Sequence, residues 1–497
     1  MYSVNQINGE KYKIPTIVDD SKSIDKFINK NKGKPVIVVQ GLGFVGSVMS
    51  LVCANSIHSE YSVIGIDLPN ESSYWKIKSI NQGVFPIISS DKKVDKFFNN
   101  SIKKGNLFAT CDPYAYSKAD IIIVDVNLDV QKEHNQYNNL INFDVDLSHF
   151  SKAIEIIGEN CKEEVLILIE TTVPPGTCEK VVYKIIKDKC NSRNLDINKI
   201  YIGHSYERVM PGPNYIDSIQ NFYRVYSGIN SISEEKTEEF LKTIISTKKY
   251  PLTKLNGTNS TEIAKVLENS YRAMNIAFIV EWSRFSEKAN INLYEVINAI
   301  RMRPTHKNIM LPGIGVGGYC LTKDPLMASW AFKNMFDSDI GLTQSEMGVI
   351  INDKMPVDAF EFLRENIKME FKDKNVLLLG VSYLSNVGDT RYTPVETFYN
   401  CLKLEGANIF LNDPFLKYWP EKKVNIENNL DLSLKNNYDI IVFSTGHDLY
   451  RSNTLMINKI KKMDKLLIFD SIGVLNEDEI GILSKKHKVK ILGRGDI

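Results

Sequence analysis

The chain has 497 residues, 43% hydrophobic and 24% charged, enough to bury several cores and of a length that suggests roughly three domains. Lys+Arg 61 against Asp+Glu 60 leaves a net charge of +1, so no global field collects nucleic acid or an anionic membrane, and an anionic ligand must be held locally. Seven cysteines, Cys53, Cys111, Cys161, Cys178, Cys190, Cys320 and Cys401, lack CxxC or CxxH spacing. That argues against a disulfide framework or a zinc site and fits a reducing, cytoplasmic compartment. No apolar run approaches the about 18 residues of a spanning helix, and the first residues contain no apolar signal segment.

Residues 1–34 are polar and end in Asn-Lys-Gly-Lys, which reads as an extension leading into the first strand, with no function assigned. From Pro35 onward, β-branched runs alternate with amphipathic stretches: VIVVQ (36–40), SVIGID (62–67), DIIIVDV (120–126), EVLILIE (164–170) and KIYIGH (199–204). Continuous apolar strands between helices predict a parallel sheet covered on both faces. The alternation returns in NVLLLG (375–380), ANIFLND (407–413), DIIVFST (439–445) and KLLIFDS (465–471). Between the two sets, Ile263, Val266, Leu267, Tyr271, Met274 and Phe278 fall at helical spacing, and Asn259 with Glu262 resembles a capping pair. The expected fold is α/β: two doubly wound Rossmann-like domains joined by a long central helix. No repeat of solenoid period and no low-complexity tract is present.

VIVVQ runs directly into Gly41-Leu42-Gly43-Phe44-Val45-Gly46, then into a helix-like apolar stretch, and the second strand run ends in Asp67, about 20 residues beyond the last glycine. Gly41 permits the tight turn, Gly43 lets backbone approach a pyrophosphate, and Gly46 lets helix pack on strand, with the Phe44 and Val45 amides and the helix dipole facing the phosphates. Asp67 would accept hydrogen bonds from the adenosine ribose and repel a 2′-phosphate, so NAD is the expected cofactor. The bland alternative is a glycine turn packing an ordinary βαβ unit.

The second glycine-rich segment, Pro312-Gly313-Ile314-Gly315-Val316-Gly317-Gly318-Tyr319-Cys320-Leu321-Thr322-Lys323-Asp324-Pro325, brings backbone close to a ligand and sets a thiol beside a charged pair. On spacing alone an inert buried cysteine is as good a reading as a nucleophile. His204 and His447 stand near strand ends without metal-ligand company, so no metal is assigned.

GLGFVG, ETTVPPGT (170–177), SYERVMPG (205–212), TEIAKVLEN (261–269), PGIGVGGYCLTKDP (312–325) and GDTRYTP (388–394) occur in the order and spacing of the UDP-glucose/GDP-mannose dehydrogenase family, which the chain resembles from about residue 35 onward. The resemblance implies a UDP-sugar 6-dehydrogenase that oxidises a hexose or N-acetylhexosamine nucleotide to its uronic acid while reducing two NAD, for surface polysaccharide. It divides the chain into an extension (1–34), an NAD-binding domain (35–230), a central helical dimerisation domain with the cysteine loop (231–370) and a nucleotide-sugar-binding domain (371–497), assembled as a homodimer or higher homo-oligomer.

The same resemblance implies that Cys320 adds to an aldehyde to give a thiohemiacetal, oxidised to a thioester that water cleaves. Lys265 would supply charge or a proton near the reacting oxygen, and Asn269, one turn on, a donor to the oxyanion; the alternative for the pair is a solvated helix face. Thr172 would orient water or the nicotinamide, Glu207 would assist hydrolysis, and Asp324 would steady the Lys265 region. Against these stand a turn threonine, a surface salt bridge and a helix cap. Tyr206, Arg208, Gly317 and Arg391 complete the expected substrate contacts, and Arg301, Arg303 and Lys323 could supply charge for a diphosphate or could equally be structural salt-bridge residues.

The pattern departs from the family at Tyr319, where histidine is usual, at Leu384, where lysine is frequent, and at Asp470-Ser471-Ile472-Gly473, where the family carries a substrate-binding arginine. Pro211 falls where the glucose branch has a further glutamate, which inclines the reading toward N-acetylhexosamine nucleotides. Two rivals remain: a single two-electron dehydrogenase independent of Cys320, and a catalytically silent nucleotide-sugar-binding subunit.

Overall fold

The computed structural model describes residues 1–497 apart from 6–8, 88, 136–139, 210–211 and 368–369. By contacts the chain divides into two compact units. The first holds Met1–Gln131, Asp144–Val266 and Trp330–Ile340; the second holds Lys132–Phe143, Leu267–Ser329 and Gly341–Ile497.

The first unit is built on an 8-stranded sheet in the order Thr253–Lys254, Val225–Gly228, Ile200–His204, Val165–Ile169, Ile121–Val124, Val36–Gln40, Ser62–Ile66, Leu107–Thr110. The strands Val36–Gln40, Ser62–Ile66 and Val165–Ile169 are buried along their whole length, as strands with both faces covered require. One pair, Ile200–His204 with Val225–Gly228, is antiparallel, so the sheet is mixed rather than wholly parallel. Val36–Gln40 pairs on one side with Ser62–Ile66 and on the other with Ile121–Val124. The strand order therefore reverses at its C-terminal end, where open α/β sheets bind ligands.

Among the described residues before Pro35, Tyr2–Val4 pairs antiparallel with Lys11–Lys13, and Ser21–Lys30 forms a helix. Ser3 donates to the Glu71 carbonyl across 2.7 Å, Asn5 to Ser79 across 3.0 Å, and the Asp20 amide to Asp112 across 2.7 Å, while Ile14 joins the core.

In the second unit, five parallel strands lie in the order Asn408–Asn412, Asn375–Leu379, Ile440–Phe443, Leu467–Asp470, Lys488–Ile491. Its switch point falls beside Asn375–Leu379, followed by Gly380 at φ +101. Asp413, at the end of the second strand, accepts the Val381 and Ser382 amides across 2.9 and 3.0 Å, an echo of Asp67 in the first unit.

The long helix, Thr258–Lys288, crosses the division between units. It begins at Thr258, so Asn259 already lies inside it and the expected capping pair does not form: Asn259 donates to Glu179 across 3.0 Å, and Glu262 turns to another partner. Its apolar residues do not all face inward. Val266 is buried, but Ile263, Leu267, Tyr271, Phe278, Trp282 and Phe285 are exposed, Leu267 by 63% and Phe285 by 62%.

Candidate active site

At the switch point of the first unit, Gly41 adopts φ +97, a left-handed value that favours glycine. A Cβ on Gly46 would stand 1.9 Å from the Gly41 carbonyl oxygen, so only glycine fits there. At Gly43 a Cβ would meet nothing within 4 Å, and the helix Phe44–Ala54 starts after Gly43 with no side-chain cap. Its first-turn amides thus suit an anion. Asp67 accepts the Leu42 amide across 3.1 Å and pairs with Lys76 at 3.5 Å, placing its carboxylate at the lip of the turn. Open space, uncapped amides and a strand-end carboxylate together fit a dinucleotide.

Behind this turn the sheet ends carry a buried polar cluster of which sequence reasoning singled out His204 alone. Glu170, the first residue of ETTVPPGT, forms a buried ion pair with Arg224, which also donates to Ser205 across 3.1 Å. Burial pushes the Glu170 carboxyl up to about 7 against the pull of Arg224, and burial likewise raises Asp125. His204 is fully buried and its Nδ1 lies 2.7 Å from the Thr261 hydroxyl. Burial, then the charges of Arg224 and Lys265, hold its pKa down to about 3, so it is neutral.

Lys265 is buried rather than solvated. Its ammonium donates to the Glu207 carbonyl across 2.8 Å, stands 4.0 Å from the Glu207 carboxylate, and lies 5.4 Å from the Tyr206 ring centroid. Glu207 is itself only 9% exposed, not a surface salt-bridge residue, and its carboxylate also takes the Val209 amide. Arg208 donates to the Tyr223 carbonyl across 2.9 Å and to the Tyr206 hydroxyl across 3.1 Å. Thr172 is half-buried on the loop after Val165–Ile169. Pro211 lies outside the described residues.

In the second unit Cys320 is the exposed one among the seven free cysteines; Cys401 is half-buried and the rest are buried. Burial pushes the Cys111 and Cys161 thiols up to about 11 and raises Cys53, Cys178, Cys190 and Cys401, which leaves those six unsuited to attack as thiolates. Cβ atoms on Gly317 and Gly318 would stand 2.7 and 2.6 Å from the Tyr383 side chain, so bare glycines let the loop lie on that ring. The Lys323 and Asp324 amides both donate to the Cys320 carbonyl, across 3.1 and 2.9 Å, which folds the backbone back just after the thiol.

Asp324 opens the helix Asp324–Asn334. Its carboxylate accepts the Asn269 amide across 2.6 Å and the Lys323 ammonium across 2.8 Å. All three side chains are buried, so Asn269 does not lie on a solvated helix face. Lys323 also lies 4.6 Å from the Tyr319 ring, which packs on Tyr392 at 5.9 Å; the residue replacing the family's histidine is part of an aromatic support.

The expected arginines differ in surroundings. Arg301 closes its own loop by donating to the Ile309 carbonyl across 3.0 Å, Arg303 is exposed, and Arg391 pairs with Asp389 at 2.7 Å. Leu384 is exposed. Beside Ile472, Arg451 donates to the Gly473 carbonyl across 3.0 Å. His447 is buried, bonded through Nε2 to Asp413 at 3.1 Å and through Nδ1 to the Asn386 amide at 2.9 Å, a structural histidine.

Comparison with known proteins agrees with this geometry. The NAD binding domain of the UDP-glucose/GDP-mannose dehydrogenase family matches residues 35–250, its central domain residues 259–346 and its UDP binding domain residues 377–477. The UDP-N-acetyl-D-mannosamine dehydrogenase of Methanocaldococcus jannaschii is 30% identical over 471 residues, covering 93% of this chain and 97% of its own. The solved UDP-D-ManNAc dehydrogenase of Pyrococcus horikoshii superposes with a TM-score of 0.76 at 26% identity, covering 93% of this chain and all of the other. The NDP-N-acetyl-D-galactosaminuronic acid dehydrogenase of Methanosarcina mazei shares the fold, with a TM-score of 0.75 at 24% identity over 95% of this chain and 98% of the other. Among the described residues no helix is long and apolar enough to cross a membrane. With the NAD fold, the cysteine loop and all three domains in place, the chain belongs to the UDP-glucose/GDP-mannose dehydrogenase family and is an NAD-dependent nucleotide-sugar dehydrogenase.

Proposed function

We propose that the chain oxidises the C6 primary alcohol of a UDP-N-acetylhexosamine, foremost UDP-N-acetylmannosamine, to the carboxylate. The observation that carries this reading is the exposed Cys320 thiol on its glycine loop, with Asp324 four residues on tied to Asn269 and Lys323.

NAD, held by the Gly41–Gly46 turn, the Phe44 and Val45 amides and Asp67, supplies the two-electron acceptor for each oxidation. Lys265 supplies positive charge where the alkoxide forms. Cys320 Sγ bonds to the aldehyde carbon, and Asn269 keeps a second amide hydrogen for the oxyanion, the first going to Asp324. Glu207, in a half-dry site, accepts a proton from the water that cleaves the thioester. Thr172 orients that water, and Lys323 fixes Asp324. Tyr206, Arg208, Gly317, Arg301, Arg303 and Arg391 are the further residues assigned to contact with the nucleotide sugar.

The exposed apolar stripe of the long helix is the surface on which two copies pair, and dispersed free cysteines favour a cytoplasmic enzyme serving surface-polysaccharide synthesis. NADH formation against UDP-N-acetylmannosamine, UDP-N-acetylglucosamine, UDP-N-acetylgalactosamine, UDP-glucose and GDP-mannose tests the reading. The highest kcat/KM on an N-acetylhexosamine nucleotide supports it; preference for UDP-glucose or GDP-mannose, or binding without NADH, contradicts it.

A further inference from the structure

Glu262 sits one turn before Lys265 on the long helix and is 1% exposed. Its two carboxylate oxygens take two backbone amides of the loop after Val165–Ile169: Gly176 across 2.6 Å and Cys178 across 2.8 Å. That loop carries Thr172 and leads into a five-residue π turn, Cys178–Val182, a distortion often found near functional sites. Gly176 is left-handed, at φ +95, and Thr177 bonds back to the Pro174 carbonyl across 2.6 Å. The loop is therefore tightly turned, and the carboxylate is its tether to the helix.

We propose that Glu262 is a positioning residue that locks the loop bearing Thr172 against the start of the helix bearing Lys265, so that the dinucleotide-side loop and the lysine keep one geometry through turnover. The inference rests on the dehydrogenase reading. An ionised carboxylate is acceptor-only and can serve both amides; once protonated, one oxygen presents a hydrogen to an amide and the clamp loses half its grip. Glu262 has its pKa pushed up to about 7 by burial, against the pull of the Cys178 and Gly176 amides, with Glu179 adding to the rise. The titratable groups facing it are Cys178 and Glu179 on the loop, with Lys265 next along its own helix. The clamp then tightens as pH rises through neutrality, and kcat rises with it.

The test compares wild type with Glu262→Gln by amide hydrogen exchange across residues 171–180 and by the pH profile of kcat on the best nucleotide sugar. The expected result is exchange at Gly176 and Cys178 faster by ~10-fold or more, kcat lower by ~10-fold or more, and loss of the ascending limb near neutrality. Faster exchange with wild-type kcat and pH profile, or unchanged exchange, overturns the proposal. Should Glu262→Gln not fold, Glu262→Asp keeps the charge but shortens the reach: the limb should remain with lowered kcat, and wild-type kcat would be contrary. If wild type reduces no NAD with any sugar, the enzymatic reading fails while hydrogen exchange still judges the clamp.

Discussion

Asn269 donates to the Asp324 carboxylate across 2.6 Å, and the Asp324 amide in turn donates to the Cys320 carbonyl across 2.9 Å. The long helix and the thiol-bearing loop are thereby joined through one buried residue, by its carboxylate on one side and its backbone amide on the other. Replacing Asn269 with Ala removes a donor from a buried acid and, in the proposed mechanism, from the developing oxyanion. We expect kcat to fall by ~10²–10³-fold, read from NADH absorbance at saturating substrates; a kcat within twofold of wild type would show that the bond is merely structural.

Asp67 offers a second handle, on the cofactor. Its carboxylate caps the glycine turn at Leu42, and on our reading it meets the adenosine ribose hydroxyls. Asp67→Ala should weaken NAD by roughly 10-fold and narrow the preference for NAD over NADP. Titration calorimetry with both dinucleotides checks this, and an unchanged ratio would contradict it.

Much of this was legible from the chain. Each of the nine apolar runs became a strand within a few residues, most of them because strands buried on both faces must be apolar throughout; Asn408–Asn412, at the sheet edge, is buried only at its end. Strands such as Leu107–Thr110 and Lys488–Ile491 went unread because a short or alternating segment leaves little periodic signal. Lys265 and Asn269 were singled out by the family resemblance, since i, i+4 spacing alone fits a solvated helix face equally, and their partners Glu207 and Asp324 stand 58 and 55 residues away, so only folding brings them near. Glu262 misled: its spacing from Asn259 fits a cap, yet two amides some 85 residues earlier offered a buried carboxylate better satisfaction.

Stability should carry the mark of a raised carboxyl away from the chemistry. Glu287 accepts the Gly493 amide across 2.7 Å, and burial pushes it up to about 7. The folded chain keeps that proton up to about pH 7 while the unfolded chain releases it near 4.3, so between those values the folded state binds more protons and stability falls as pH rises. Glu287→Gln removes this decline. From pH 5 to 7.5, urea unfolding should show wild type losing roughly 1–3 kcal/mol more than the variant; parallel losses would contradict the shift.

The exposed aromatic run on the long helix, Phe278, Trp282 and Phe285, with ring centroids 6.1 and 5.9 Å apart, is too apolar to stay wet at no cost. On the pairing proposed above, wild type sediments as a dimer and Trp282→Asp as a monomer in analytical ultracentrifugation. A variant of wild-type mass would place the contact between copies elsewhere.

The central claim is that one active site carries out two oxidations joined by a covalent bond to Cys320. The direct measurement is NADH formed per nucleotide sugar consumed, with Cys320→Ser run beside wild type and intact-protein mass spectrometry on both. The account predicts two NADH per sugar in wild type, and in the variant loss of steady turnover with at most one oxidation or a trapped sugar adduct. One NADH per sugar, with Cys320→Ser as active as wild type, would contradict it.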